Sequence, residues 1–497
     1  MPERSDSIDH VLFCVADQWR SDALGALGTP GVRTPNLDAL AADGVLLANH
    51  WCQASPCGPS RSSILTGTQV STHGQWTNDH RADHGLVTLP AVLRGADVTP
   101  LLIGYTDTPQ PGTAPGLEAE PMGEGSDGWV GLIDPAFEVV QPFIWQHGFP
   151  TWRAELEARG YRLDDQHPFG LYAPDGLPDE AGLAPAHYEA EDSDVAFLTD
   201  AAIDCLAELP PRALLHLNWL RPHPPMTAPR PYHRLVDPDE VAPPRRSLPL
   251  DRQATSHPYF EQTVADRSMT EYLQRRCTVD TVTERDDRHI RAAYYGLCAE
   301  VDHQFGRIVA ELKSTGRYDS TLIIFTSDHG DSLGDHWMYG RRGPFDGHFK
   351  VPCIIRDPRP TADRSRATTV DDFTANIDLL PTICDALGIA VPRSVEGRSL
   401  AGHLGGGPGQ TWRRHVRYDM DWDDHLRSAT RAAVGGSSLD RRFSAVRTEH
   451  HRLVTFPRMA PMLFDLAEDP DETTDRSADP SLASTVAELQ HLLGQPS

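Results

Sequence analysis

The chain has 497 residues, enough to bury a large core and to divide into more than one domain. Its 71 acidic residues against 45 basic ones leave a formal charge of −26, which favours solubility and argues against nucleic acid as a partner. An anionic ligand would need a local positive site, built from metal and arginine, working against that overall field.

The segment from Met1 to His10 has no apolar leader core, and no later run is long enough to span a bilayer. Eight cysteines (14, 52, 57, 205, 277, 298, 353 and 384) are scattered, with neither zinc-type spacing nor a disulfide framework. Both features point to a cytoplasmic protein with reduced thiols and no membrane partner. His10-Val11-Leu12-Phe13-Cys14-Val15-Ala16 reads as a buried parallel strand that ends on Asp17-Gln18, the edge at which open α/β sheets bind ligands. A helix follows from Pro35 to about Asp43, with Thr34 as N-cap and Gly44 as the stop.

Ala54-Ser55-Pro56-Cys57-Gly58-Pro59-Ser60-Arg61 is the stretch around which the rest is organised. Two prolines bracket the cysteine ahead of a short apolar run that can begin a helix. A thiol placed there meets the unpaired N–H groups and positive end of that helix, which favour an anionic centre. Arg61 adds a permanent forked cation one turn later. Read alone, such a cysteine is as well explained as a small buried hydrophobe.

Further strands are expected at Thr99 to Tyr105, Arg212 to Trp219, Thr321 to Ser327 and Val351 to Ile355. Residues 107 to 190 are rich in Pro, Gly and acids and are expected to form loops near the site entrance. Arg221-Pro222-His223-Pro224-Pro225 lies on the loop beyond the third strand of the sequence, and Asp328-His329 ends the strand at 321–327. Between Asp287 and Lys313 apolar residues step at helical spacing, a stripe explained by core packing. Strands alternating with helices predict a mostly parallel sheet with helices on both faces. Past about residue 405, short β-leaning pieces and a last helix over about 481 to 493 predict a smaller antiparallel subdomain. The expected division is 1–405 and 406–497, and there is no internal repeat.

The order Cys57-Gly58-Pro59-Ser60-Arg61 resembles the Cys-x-Pro-Ser/Ala-Arg signature of the sulfatases and phosphonate monoester hydrolases, in the alkaline phosphatase superfamily. Thr34-Pro35-Asn36-Leu37-Asp38 and Leu463-Phe464-Asp465-Leu466 are similar to segments of the same relatives. The resemblance implies that a formylglycine-generating enzyme oxidises Cys57 to formylglycine, whose hydrate is the nucleophile. It also implies that Asp17, Cys57, Asp328 and His329 hold one divalent ion, Mn²⁺ or Ca²⁺ first, Zn²⁺ or Fe²⁺ next. By the same match Cys57, Arg61, Asn78, Tyr105, His223 and Arg341 form the catalytic set, and the substrate is a small anionic ester.

Departures from the sulfatase pattern give the branch. Gln18 stands where most sulfatases have a second aspartate, which removes a negative charge and favours Mn²⁺ over a carboxylate-rich calcium site. Ile103-Gly104-Tyr105-Thr106-Asp107 lacks the lysine and histidine of the sulfate-gripping Gly-Lys-x-His segment. Both departures resemble phosphonate monoester hydrolases, as do Asp17-Gln18-Trp19-Arg20 and the His223 loop. Arg341 and Asp107 replace that branch's usual lysine and threonine. The expected activity is formylglycine- and metal-dependent hydrolysis of phosphonate or phosphate esters with some sulfate-ester hydrolysis. The alternatives are a sulfatase of small or aryl sulfates, which Ser60 supports, and a catalytically silent binding protein. A homo-oligomer is possible, but the chain's end at Gln495-Pro496-Ser497 lacks the long arm through which relatives form tetramers.

Overall fold

The computed structural model describes residues 7–78, 82, 85–108, 133–144, 148–163, 168–178, 182–264, 268–405, 411–422 and 441–494. Residues 109–132, 145–147, 164–167 and 179–181 of the loop region expected over 107–190, the junction at 406–410 and Gln495 to Ser497 lie outside these residues.

An eight-stranded sheet forms the centre. Its members are β1 (His10–Ala16), β2 (Val45–Leu47), β4 (Thr99–Gly104), β5 (Glu138–Pro142), β6 (Ala213–Trp219), β7 (Thr321–Ser327), β8 (Cys353–Arg356) and β9 (Thr368–Val370). They lie in the order β9-β2-β8-β7-β1-β6-β4-β5. Every pairing is parallel except those of β8, which runs antiparallel to both β7 and β2. β1, β6 and β7 are buried along their whole length, as continuous apolar runs in a two-sided sheet must be.

Alternation along β1 divides the core. Leu12, Cys14 and Ala16 face one cluster, and Val11, Phe13 and Val15 face another. The first is closed by α1 (Pro35–Ala42), α3 (Asp194–Ala207) and the long α4 (Glu284–Ser314). The second is closed by α2 (Cys57–Thr66) and α5 (Leu379–Leu387). α4 begins three residues before its expected start, because Thr283 and Asp286 cap each other reciprocally there.

Thr34 precedes α1 as expected but does not cap it with its side chain. Its hydroxyl accepts from Gly25 N (2.8 Å) and bonds Asp38 (3.0 Å), while Asp302 of α4 accepts from Asn36 N and Leu37 N (3.2 and 2.8 Å). Gly44 follows the helix for a packing reason: a Cβ there would lie 2.6 Å from the Ile355 carbonyl.

The C-terminal sheet is less separate than the sequence implies. β10 (His415–Asp421), β11 (Arg442–Thr448), β12 (His451–Thr455) and β13 (Met462–Asp465) pair antiparallel in sequence order. A fifth strand, β3 (Ala54–Ser55), joins β10 in parallel. The segment immediately before Cys57 is thereby held by the far end of the chain. α6 (Ala483–Leu493) lays Leu489 on Val446, Leu453 and Leu463. Among the described residues no helix is long and apolar enough to cross a membrane.

One core acid gives a prediction. Glu300 on α4 is fully buried near Asp194, and burial pushes its carboxyl up to about 8. The folded chain therefore keeps a proton that the unfolded chain has released, so stability falls as pH rises from about 4.5 to about 8. Glu300→Gln removes this dependence. Its melting temperature relative to wild type should climb steadily across that window; a pH-independent difference would contradict the assignment.

Candidate active site

The side chains singled out in the sequence collect at the C-terminal edge of the parallel strands. Asp17 follows β1, Tyr105 follows β4, His223 lies on the loop after β6, and Asp328-His329 follow β7. Cys57 is the first residue of α2. Ligand atoms of Asp17, Cys57, Asp328 and His329 all lie within 4.8 Å of one another, and all four residues are buried. His329 Nε2 is 3.3 Å from Cys57 Sγ and 3.9 Å from Asp17 Oδ1. Its Nδ1 sits 3.0 Å from the Gly330 carbonyl, an arrangement that places the proton on Nδ1 and leaves Nε2 as a lone pair facing the cluster. Two carboxylates, an imidazole and a soft or oxidised group at 57 suit a divalent transition ion.

Arg61 holds this arrangement together. Its Nε donates to Asp328 Oδ2 (2.9 Å) and its Nη2 to Asp17 Oδ2 (3.1 Å) and the Tyr105 hydroxyl (3.1 Å). Its Nη1 donates to Asn218 Oδ1 (2.7 Å). The guanidinium also lies 4.2 Å from the centre of the Tyr105 ring. Tyr105 in turn donates to Asp17 Oδ2 at 2.6 Å. Arg61 and Tyr105 thus spend their donors on the carboxylates. Burial pushes Asp17 up, but His223, Arg61, His329 and the Tyr105 hydrogen bond together hold it well below the usual carboxylate range.

Cys57 does start a helix, yet the expected anionic thiol does not result. Burial pushes the thiol well above its ordinary range and Asp17 adds to the shift, while Arg341 opposes it. Desolvation and the neighbouring carboxylate outweigh the helix end. Arg341 Nη1 reaches Cys57 Sγ at 3.1 Å, so the arginine at this position extends fully into the site. Asn78 is bound through Oδ1 to Gly58 N (2.9 Å), which leaves its amide NH₂ as the available donor. Gly58 is demanded by crowding: a Cβ would stand 2.5 Å from Gln75 Nε2, 2.9 Å from the Asp107 carbonyl and 3.0 Å from Asn78 Oδ1.

Asp107 does not point to solvent. It is buried, its Oδ1 meets no hydrogen-bond donor among the described residues, and burial pushes its carboxyl up to about 6 against the pull of Arg61. Gln18 donates its amide NH₂ to Asp331, and among the described residues its buried Oε1 meets no hydrogen-bond donor.

Asn218 was not legible as a site residue. The available signal was an amide near the end of a strand that is apolar apart from His216. His348 was also missed; it bonds Ser55 Oγ (2.8 Å) and the Gly343 carbonyl (2.9 Å), tying the segment before Cys57 to the loop that carries Arg341. Ser60 donates to the Asp328 carbonyl (2.5 Å), which explains a hydroxyl at that place in the motif by packing alone.

This fold and this arrangement of donors define an alkaline phosphatase-like protein. The family model for the sulfatases matches residues 9–389, and that for the N-sulphoglucosamine sulphohydrolase C-terminal region matches 334–496. The chain belongs to the sulfatase family, within the alkaline phosphatase superfamily, and is a hydrolase of ester bonds. It is 33% identical over 489 residues to the multifunctional alkaline phosphatase superfamily protein PehA of Trinickia caryophylli, covering 96% of this chain and 93% of that one. It is 24% identical to an arylsulfatase of Clostridium perfringens, over 94% of this chain and 89% of the relative. The crystal structure of the phosphonate monoester hydrolase of Agrobacterium radiobacter superposes with a TM-score of 0.88 at 33% identity, over 98% of this chain and 94% of that one.

Arg61 is the counter-charge shared by two buried carboxylates. Arg61→Met should cost the metal-free protein about 3–5 kcal/mol, the usual penalty for leaving a buried charge unpaired. Urea unfolding with and without Mn²⁺ checks this: added cation should restore part of the loss. Equal losses in both conditions would show that Arg61 does not serve the carboxylates.

Proposed function

We propose that the chain is a formylglycine-dependent, metal-assisted hydrolase of phosphonate and phosphate esters that also turns over some sulfate esters. The observation that carries this reading is the buried group Asp17, Cys57, Asp328 and His329, with Arg341 reaching the sulfur. The relatives named as phosphonate monoester hydrolase and PehA support the phosphorus branch.

In this reading the four residues hold one divalent cation, which polarises the ester's oxygens when bound. Formylglycine at 57, made by a formylglycine-generating enzyme, supplies a hydrate hydroxyl as nucleophile and a second hydroxyl whose collapse releases the product. Arg61 orients Asp17 and Asp328, and with Tyr105 it keeps Asp17 ionised. Arg341 and the Asn78 amide neutralise the substrate's anionic oxygens, which matter most as charge develops in the transition state. His223, close enough to Asp17 to lower its carboxyl, donates to the leaving group or to the transferring group. Residues 1–405 form the catalytic unit and 406–497 the C-terminal unit, with β3 crossing between them. All eight cysteines are free, which supports a reducing, cytoplasmic location.

The test is a panel of aryl phosphonate monoesters, phosphodiesters and aryl sulfates, run on protein co-expressed with the cysteine-oxidising enzyme. Phosphonates and diesters should show the larger kcat/KM. A large preference for aryl sulfates would assign the chain to the arylsulfatase reading instead. Mass spectrometry of the Cys57 peptide should find formylglycine, and Cys57→Ala should abolish turnover.

Metal dependence separates the ions. Two carboxylate donors and a neutral Gln18 suit Mn²⁺ better than Ca²⁺. Chelator-treated enzyme should lose activity and recover more of it with Mn²⁺ than with Ca²⁺; the reverse order would show that the charge lost at Gln18 does not set the preference.

A further inference from the structure

The loop that carries His223 is short of its own donors. Pro222, Pro224 and Pro225 lack N–H groups, and the loop's His223 N–H is already bonded to the Leu220 carbonyl at 3.0 Å. Thr227 N–H meets the Pro225 carbonyl at 2.8 Å, and the His223 carbonyl takes its donor from a side chain. Arg221 supplies it. This arginine is fully buried, and its Nη1 donates to the carbonyls of His223 (2.9 Å) and Pro225 (2.7 Å). Its Nη2 reaches the Thr227 carbonyl and the Tyr188 hydroxyl, each at 3.4 Å. The Tyr172 ring lies 4.2 Å from the guanidinium, and Asp194 Oδ1 is 3.7 Å from Nε. Tyr172 bonds the same aspartate at 3.2 Å.

These contacts do more than fill space. Two of them end on the carbonyls on either side of Pro224, and the carbonyl of Pro224 itself lies 2.6 Å from His223 Nδ1. The guanidinium therefore fixes the backbone that orients the imidazole. The ring's charge environment includes Asp17 and Arg341, which belong to the site, and Glu271. Glu300, packed near Asp194 from α4, keeps its proton at neutral pH, so Asp194 is the counter-charge that Arg221 meets. A lysine cannot make this set of contacts, since it offers one point charge where the arginine offers a planar fork.

We propose that Arg221 is a positioning residue for His223, setting the direction of the imidazole toward the leaving group so that Arg221 influences the reaction through that ring alone. This rests on the assignment of His223 in the proposed hydrolysis. It is distinct from the role of Arg61, which orients the carboxylates.

The experiment uses matured, metal-loaded enzyme and aryl phosphonate esters graded by leaving-group pKa. His223→Ala should slow poor leaving groups more than good ones. Arg221→Lys should show the same leaving-group dependence, with kcat falling roughly 10–100-fold, as small misplacements of a reacting group do, and KM nearly unchanged. The double variant should be no slower than His223→Ala. A melting curve establishes that Arg221→Lys is folded at the assay temperature. Asp194→Asn, which weakens the clamp from outside the loop, should reproduce the same dependence in milder form. Losses that are uniform across leaving groups, or that multiply with His223→Ala, overturn the proposal while leaving the assignment of His223 intact. If His223→Ala slows no ester, that assignment fails, and this inference falls with it.

Discussion

Everything in this site depends on one buried guanidinium bracketed by two carboxylates. Asp17 and Asp328 end adjacent parallel strands, so the register of β1 against β7 brings two negative charges together in a water-poor edge. Without compensation, such a pair would neutralise itself by taking up a proton. Arg61 meets both, and Tyr105 and Asn218 use up the rest of the geometry around it. Asp17 is thereby kept charged, and both carboxylates are held close to the sulfur of Cys57 and Nε2 of His329. An arginine serves here where a lysine would not, because the two acids lie on different sides of a single planar fork.

A second constraint comes from the far end of the chain. β3, just before Cys57, is an edge strand of the C-terminal sheet, and His348 links Ser55 to the loop carrying Arg341. The start of α2 is thus gripped by the central sheet through Ser60 and Arg61 and by the C-terminal sheet through Ala54 and Ser55. The anchorage of the segment before Cys57 is therefore complete only when the last hundred residues are in place. The clamp at Arg221 follows the same logic: a proline-rich loop with few N–H donors is held by one side chain reaching back from its own base.

Much of the site could be read before any coordinates. The motif at 57–61 is a short fixed order of residues, and the runs before the strand-end acids are short, apolar and rich in β-branched and aromatic residues, which separates buried strands from helices. Arg341 and Asp107 were named as departures, but where they reach was not legible. Whether a side chain enters a cavity depends on how loops stack, and no periodicity records that. Asn218, His348 and Arg221 were missed as supporting groups for a similar reason. Each acts through a single hydrogen bond or backbone clamp to a partner more than a hundred residues away or hidden inside a loop. Thr34 illustrates the converse: its sequence context predicts a cap, but Asp302 from α4 takes the amides and leaves the hydroxyl to the preceding turn.

The sequence by itself determined the long central strands, the helices after Thr34 and before Gly316, the identity of the donors and the family chemistry they imply, since these follow from local composition and short motifs. The short strands at 45–47, 54–55, 138–142 and 368–370 and the helices at 194–207 and 379–387 were not legible in it. Tertiary structure alone decided the reversed direction of β8, the transfer of β3 to the C-terminal sheet, the unionised state of the Cys57 thiol and the assignment of Arg61 to the carboxylates. Those outcomes depend on burial and on distances between segments remote in the chain, and both quantities exist only once the segments have packed.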